Sequence, residues 1–150
     1  MVTLFALIFS QAKTIIFISK TTSYLMEFKI DTKASYTHIS PVSPHLNANM
    51  AAALTQKCTE LTNNDSQNFL IDLRNCQSAE ADAFDELVAL HDQCYADGQS
   101  LVFTNIKEQV MNEFKEAGAD EVLNIAPTEI EGIDIISMEI LERDLFNEAD

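Results

Sequence analysis

Four carboxylates, Glu80, Asp82, Asp85 and Glu86, crowd one short stretch and pose the first chemical question of this sequence. Two acids with separated pKa values could serve as general acid and general base. Glu80 and Asp82, however, stand two positions apart, and residues at that spacing do not share a helix face. The backbone offers a simpler reason for acids here. Unsatisfied N–H groups and the helix dipole at a helix start favour each negative side chain by ~0.3–1 kcal/mol. Such a start can also receive phosphate, but the chain's own acids occupy this one. The other reactive side chains are scattered. His91 falls on an apolar stripe, where a partly buried, hydrogen-bonded imidazole is expected. Cys76 precedes the acids, whose charge would raise its thiol pKa. No nucleophile meets a base, so no catalytic residue is assigned and the chain reads as a non-enzyme.

The remaining ligand-bearing residues point the same way. Cys58, Cys76 and Cys94 are an odd count without a CxxC pair, which proposes neither a disulfide framework nor a zinc site. A reducing, cytoplasmic setting is the simplest inference. His38 and His45 lie far along the chain from His91 and from any cysteine at ligand spacing, so neither metal nor cofactor is assigned. With nine bases against twenty-four acids and a formal charge of −15, the chain lacks the cations a nucleic-acid surface needs. A large partner surface should be basic or apolar.

These side chains must be positioned by a scaffold, and 150 residues with 47% apolar content suit one domain with one core. Residues 1–25 contain Lys13 and Lys20 and no acid, which leaves seven bases and twenty-four acids, a charge of −17, for residues 26–150. Gln11 and Lys13 interrupt the apolar run too early for a membrane span, and no positive charge precedes Leu4 to Phe9 as a signal peptide requires. Residues 1–25 therefore read as an N-terminal extension, and 26–150 as the domain.

From Met26, MEFKID alternates as a half-buried strand, with Tyr36, His38 and Ile39 in a second. Pro41 and Pro44 delay a helix until Asn47 or Asn49 can cap one running to about Leu61, with Ala52, Ala53, Leu54, Cys58 and Leu61 on its apolar side. Phe69–Leu73 reads as a short, central strand. The next helix carries Phe84, Leu87, Val88, His91 and Tyr95 on one stripe. Leu101 to Phe103 suit a strand covered on both faces. Val110, Met111, Phe114 and Ala117 give a helix that Gly118 ends, and Val122 to Ile125 a last strand. Ile133, Ile136, Ile140, Leu141 and Leu145 repeat along a terminal helix with its acids outward. Strand and helix alternate after residue 47, which predicts a small α/β fold with a mixed, mostly parallel sheet of four to five strands.

Leu46-Asn47 before a helix, the strand IDL followed by Asn75, the strand LVFTNI, the run AGADEVLNIAPT and a terminal helix opening EGID occur here in one order and spacing. Over residues 26 to about 147 this resembles the STAS domain, the sulfate transporter and anti-sigma factor antagonist family, in its free-standing bacterial form. The resemblance implies helices packed mainly on one sheet face and a role in partner switching. In that scheme the domain binds a kinase-fold anti-sigma factor until the kinase phosphorylates a serine at the start of the central helix. The family writes the switch as Asp-Ser-Ser-Gly or Asp-Ser-Thr-Gly, and the matching stretch here is Glu80-Ala81-Asp82-Ala83. Asp82 then stands at the switch position, where it cannot form phosphoserine, and the covalent switch is expected to be lost. Glu80, Ala81, Asp82, Ala83, Asp85 and Glu86 become the expected partner-binding residues. Three readings of Asp82 stay open: a mimic of the phosphorylated state, a feature of constitutive binding, or a first-turn acid with no partner. A different class, a small-ligand or lipid-binding sensor module of the same family, would need an apolar pocket beside residues 78–84.

Overall fold

All four residues of Phe69–Asp72 are buried, including the acid, and the sheet is built outward from them. The structure is a computed structural model that describes residues 27–149; the predicted extension over 1–25 lies outside the described residues. In chain order the strands are β1 (Phe28–Thr32), β2 (Thr37–Pro41), β3 (His45–Leu46), β4 (Phe69–Asp72), β5 (Ser78–Ala79), β6 (Leu101–Thr104) and β7 (Asn124–Ala126). The helices are α1 (Ala48–Asn63), α2 (Asp82–Ala96), α3 (Glu108–Glu116) and α4 (Glu129–Ala149), with a 3-10 turn at Ala119–Glu121. The main sheet has the order β1-β2-β4-β6-β7. Its first pair is an antiparallel hairpin and the other pairings are parallel. A parallel β3–β5 pair stands apart. The predicted mixed, mostly parallel sheet is present.

Alternation along the strands divides the interior. Ile39, Phe69, Ile71, Leu101 and Phe103 face α1, α2 and α3 in the larger core. Leu70 and Val102 face the other way and meet Ala126 and Ile136 beneath α4. Three helices thus share one face and one covers the other. Asn47 caps α1, its side chain accepting from the Met50 N–H at 3.0 Å. Gly118 closes α3 with φ of 74°, the left-handed conformation a residue without Cβ adopts at little cost.

Several expectations need correction. β1 is an edge strand and mostly exposed, with Ile30 38% accessible, so its alternation does not report a half-buried strand. In α1 the buried side is Met50, Ala51, Leu54 and Cys58, while Ala52 is exposed. Alanine carries too little apolar surface to fix the phase of a helix. In α2 the deepest stripe is Phe84, Leu87, Leu90 and Cys94; Val88, His91 and Tyr95 flank it half-buried. The last strand begins at Asn124, because Ala119–Glu121 forms the 3-10 turn.

The largest correction concerns α4. Leu141 and Leu145 are 58% and 56% exposed, and Glu139 and Arg143 turn inward instead. The strand starts beneath that half of the helix present Ser100 and Asn68, so the helix delivers polar groups there. Glu139 Oε1 accepts from Ser100 Oγ at 2.6 Å and Tyr95 OH at 2.8 Å. Arg143 donates to Ser100 Oγ and to Asn68 Oδ1 at 2.9 Å. At its other end α4 is capped by Thr128, whose Oγ1 accepts from the Glu131 N–H and donates to Glu131 Oε1. Gly132 lets the helix approach, since a Cβ there would lie 2.6 Å from Leu70 Cδ1.

Candidate functional site

The run from Arg74 to Ala81 leaves β4 after Leu73, whose N–H makes a last bond to Thr104 O at the end of β6. It turns instead through Cys76 N–H to Leu73 O and is then fastened from two sides. On one side the Gln77 and Ser78 N–H groups donate to Pro44 O and the Glu80 N–H to Leu46 O at 2.8 Å. His45 Nδ1 lies 2.8 Å from Ser78 Oγ. On the other side Lys107 Nζ donates to Arg74 O at 2.7 Å and Gln109 Nε2 to Gln77 O at 3.1 Å. The elements β3, β5 and the start of α3 therefore hold the approach to α2 in place.

At the end of this loop the expected site residues divide. Glu80, Ala81, Asp82 and Asp85 are exposed and Glu86 is half-buried. Ala83 is fully buried in the larger core, so its methyl packs inward and is not open to a partner. Ala81 precedes the helix in helical conformation and makes no side-chain cap, and α2 begins at Asp82. Asp82 and Asp85 are first-turn acids with favourable dipole placement. No ion pair among the described residues engages Glu80, Asp82, Asp85 or Glu86. The result is a fixed, negatively charged helix start without internal neutralisation.

The neighbouring reactive groups are quiet. Burial pushes the Cys76 thiol up to about 11, only partly offset by the Lys107 charge, and its Sγ sits 3.6 Å from Ser43 O. The predicted direction holds, but its cause is burial and not the nearby acids. His91 is half-buried against the Tyr95 ring, with ring centroids 4.6 Å apart, and its Nδ1 has no hydrogen-bond partner among the described residues. The expected hydrogen bond is missing at that nitrogen. A groove of about 540 Å³ between α1 and α2 includes Glu86, Cys58 and Cys94 but none of residues 78–84 in its lining.

Sequence reasoning passed over a second cluster. Asp72 of β4, an acid inside an apolar strand, accepts from His38 Nε2 at 3.0 Å, from Arg74 Nη2 at 2.7 Å and from the Arg74 backbone. Burial alone would push its carboxyl up; hydrogen bonds from Arg74, His38 and Asn105 outweigh this and hold it below the ordinary value. Arg74 also reaches Glu129 of α4 at 3.6 Å. The signal available in sequence was a buried charge in β4, which requires partners.

Among the described residues no helix is long and apolar enough to cross a membrane. The sequence matches the family described as STAS domain over residues 29–132. Its fold is shared with RsbS of Moorella thermoacetica in a serine-to-glutamate variant, at TM-score 0.62 and 17% identity over 78% of this chain and 98% of that one. The anti-sigma factor antagonist SpoIIAA in its unphosphorylated form gives 0.59 and 13%, over 74% and 96%. The murine Slc26a9 anion transporter gives 0.64 and 15%, over 85% of this chain and 24% of that one. No curated protein matches by sequence.

Proposed function

The chain belongs to the STAS domain family, and from that premise we propose that it is a non-enzymatic regulatory protein, antagonist-like, that binds a protein partner through the start of α2. The observation that carries this reading is the presentation of Glu80, Ala81, Asp82 and Asp85. They are exposed, free of internal ion pairs among the described residues, and stand at the end of a loop fastened from both sides and in the first turn of α2 that follows it. The partner class is an anti-sigma factor, as the name of the solved antagonist SpoIIAA suggests, and the family resemblance gives that partner a kinase fold. Its contact surface is basic, matching the acids it meets, so association is steered by charge and weakened by salt.

In this reading the covalent switch is absent. Neither Ala81 nor Asp82 offers a hydroxyl, and the nearest one in sequence, Ser78 Oγ, is engaged with His45. Asp82 supplies a permanent single charge where phosphoserine would bring ~1.5–2.

The test is a titration against the kinase-fold anti-sigma factor from the same source, together with radiolabelled phosphate transfer. Reversing Asp85 and Glu86 to lysine should weaken binding by about tenfold or more, with the circular dichroism unchanged. The unmodified protein should take up no label within residues 78–86. Unaltered affinity after charge reversal places the interface elsewhere, and stoichiometric labelling there refutes loss of the switch.

A further inference from the structure

The uncovered corner of the sheet face beneath the start of α4 holds His38, Asp72 and Glu129, drawn from β2, β4 and α4. One ligand atom from each lies within 4.8 Å of the other two. Asp72 is buried, with 1% of its side chain exposed, and His38 is 19% exposed. Both open into a cavity of about 500 Å³ shared with Lys29, Arg74, Asn75 and Glu129. We infer that this corner is a binding site for a divalent transition-metal ion of the zinc class, held by His38, Asp72 and Glu129 in competition with Arg74.

The donor set is one imidazole nitrogen and two carboxylates, a combination that suits zinc and leaves a fourth position for water. Ligand atoms around a tetrahedral zinc at ~2.0–2.2 Å stand roughly 3.4 Å from one another. The His38–Asp72 separation of 3.0 Å is already near that, and the largest span in the cluster closes by a rotation of the half-exposed Glu129. The buried Asp72 is fixed by the Arg74 backbone N–H, so one ligand is oriented before any ion arrives. What occupies the notch is the Arg74 guanidinium, 2.7 Å from Asp72 and 3.6 Å from Glu129. It is 55% exposed and can swing into solvent, and it carries one charge where the ion would bring two. The expectation of no metal arose because these ligands are far apart in sequence; the parallel pairing of β2 with β4 brings His38 and Asp72 together.

The competition gives the experiment its direction. The full chain is titrated with zinc by calorimetry, and with cobalt(II) followed by its visible ligand-field absorption. The parent should bind one ion. His38→Gln, whose amide can still donate to Asp72 and so preserves the fold, should lower affinity by about tenfold or more and remove the cobalt bands. Arg74→Gln should raise affinity by about tenfold, because it frees both carboxylates. Circular dichroism reports that each variant is folded. Absence of one-to-one binding in both the parent and Arg74→Gln, or binding that neither substitution alters, overturns the assignment, the latter meaning that ions sit elsewhere on this acidic surface.

Discussion

Replacing Glu139 with alanine should cost this protein more stability than its position on an outer helix suggests. Its carboxylate takes short bonds from Ser100 Oγ at 2.6 Å and Tyr95 OH at 2.8 Å. Ser100 is fully buried, and Arg143 Nη1 already donates to the same hydroxyl oxygen, so water cannot easily replace the lost acceptor. Tyr95 keeps Leu101 O at 3.3 Å and suffers less. A hydrogen bond to a charged group is worth ~1.5–3 kcal/mol. Counting the Ser100 bond in full and the Tyr95 bond in small part gives a loss of about 2–3 kcal/mol for Glu139→Ala. At roughly 4 °C per kcal/mol for a domain of this size, the melting temperature should fall by about 8–12 °C. Glu139→Gln keeps an acceptor and should cost about 1 kcal/mol. Urea unfolding followed by circular dichroism measures both. A second readout is alkaline unfolding. Burial, with Glu139 adding to it, raises the Tyr95 phenol to about 12. The folded state thus retains a proton the unfolded chain releases near pH ~10, and stability falls as pH rises between the two values. Removing Glu139 should narrow that window without closing it, since burial is the larger cause. A loss below about 0.5 kcal/mol in Glu139→Ala would show that α4 is held by Ile136 and its apolar neighbours alone.

Gly132→Ala should destabilise by about 1–2 kcal/mol, because overpacking against the buried Leu70 outweighs the ~1 kcal/mol that alanine gains in a helix; a stabilised variant in urea titration would mean a looser helix–sheet contact. Cys58, Cys76 and Cys94 are all buried, and burial pushes the thiols of Cys76 and Cys94 up to about 11 and that of Cys58 higher still. A thiol-reactive disulfide reagent near pH 8 should therefore modify none of the three in the native protein and all of them in denaturant.

The sheet was legible in sequence wherever one signal sufficed. Leu101 to Phe103 form an unbroken apolar run because β6 is covered on both faces, and Asn47 and Gly118 mark helix ends through chemistry that acts within a few residues. Where two signals had to be weighed, the sequence misled. Ala52 and Ala53 match the apolar phase of α1 as well as Met50 and Ala51 do, and only the sheet beneath decides between them. In α4 the isoleucines and leucines set a clear period, yet the surface under its second half is polar, so Glu139 and Arg143 turn inward and Leu141 and Leu145 outward. The start of α2 was found as an acid-rich stretch, but the burial of Ala83 depends on how α2 seats against the core. His38 and Asp72 meet through strand register, which no local pattern encodes.

The loop that leads into α2 has a kinetic consequence. Its backbone is anchored to Pro44, Leu46, Lys107 and Gln109 before any partner arrives. In the proposed complex, binding would therefore freeze few main-chain torsions, and the entropy lost on association would come chiefly from rigid-body motion and a few surface side chains. Encounter would then be governed by diffusion and the long-range field, so that substitutions of the acids act on the association rate and its salt dependence. Cutting one anchor, as in Gln109→Ala, alters no contacting side chain, yet it returns the loop to a wider set of conformations and reduces the fraction of molecules ready to dock.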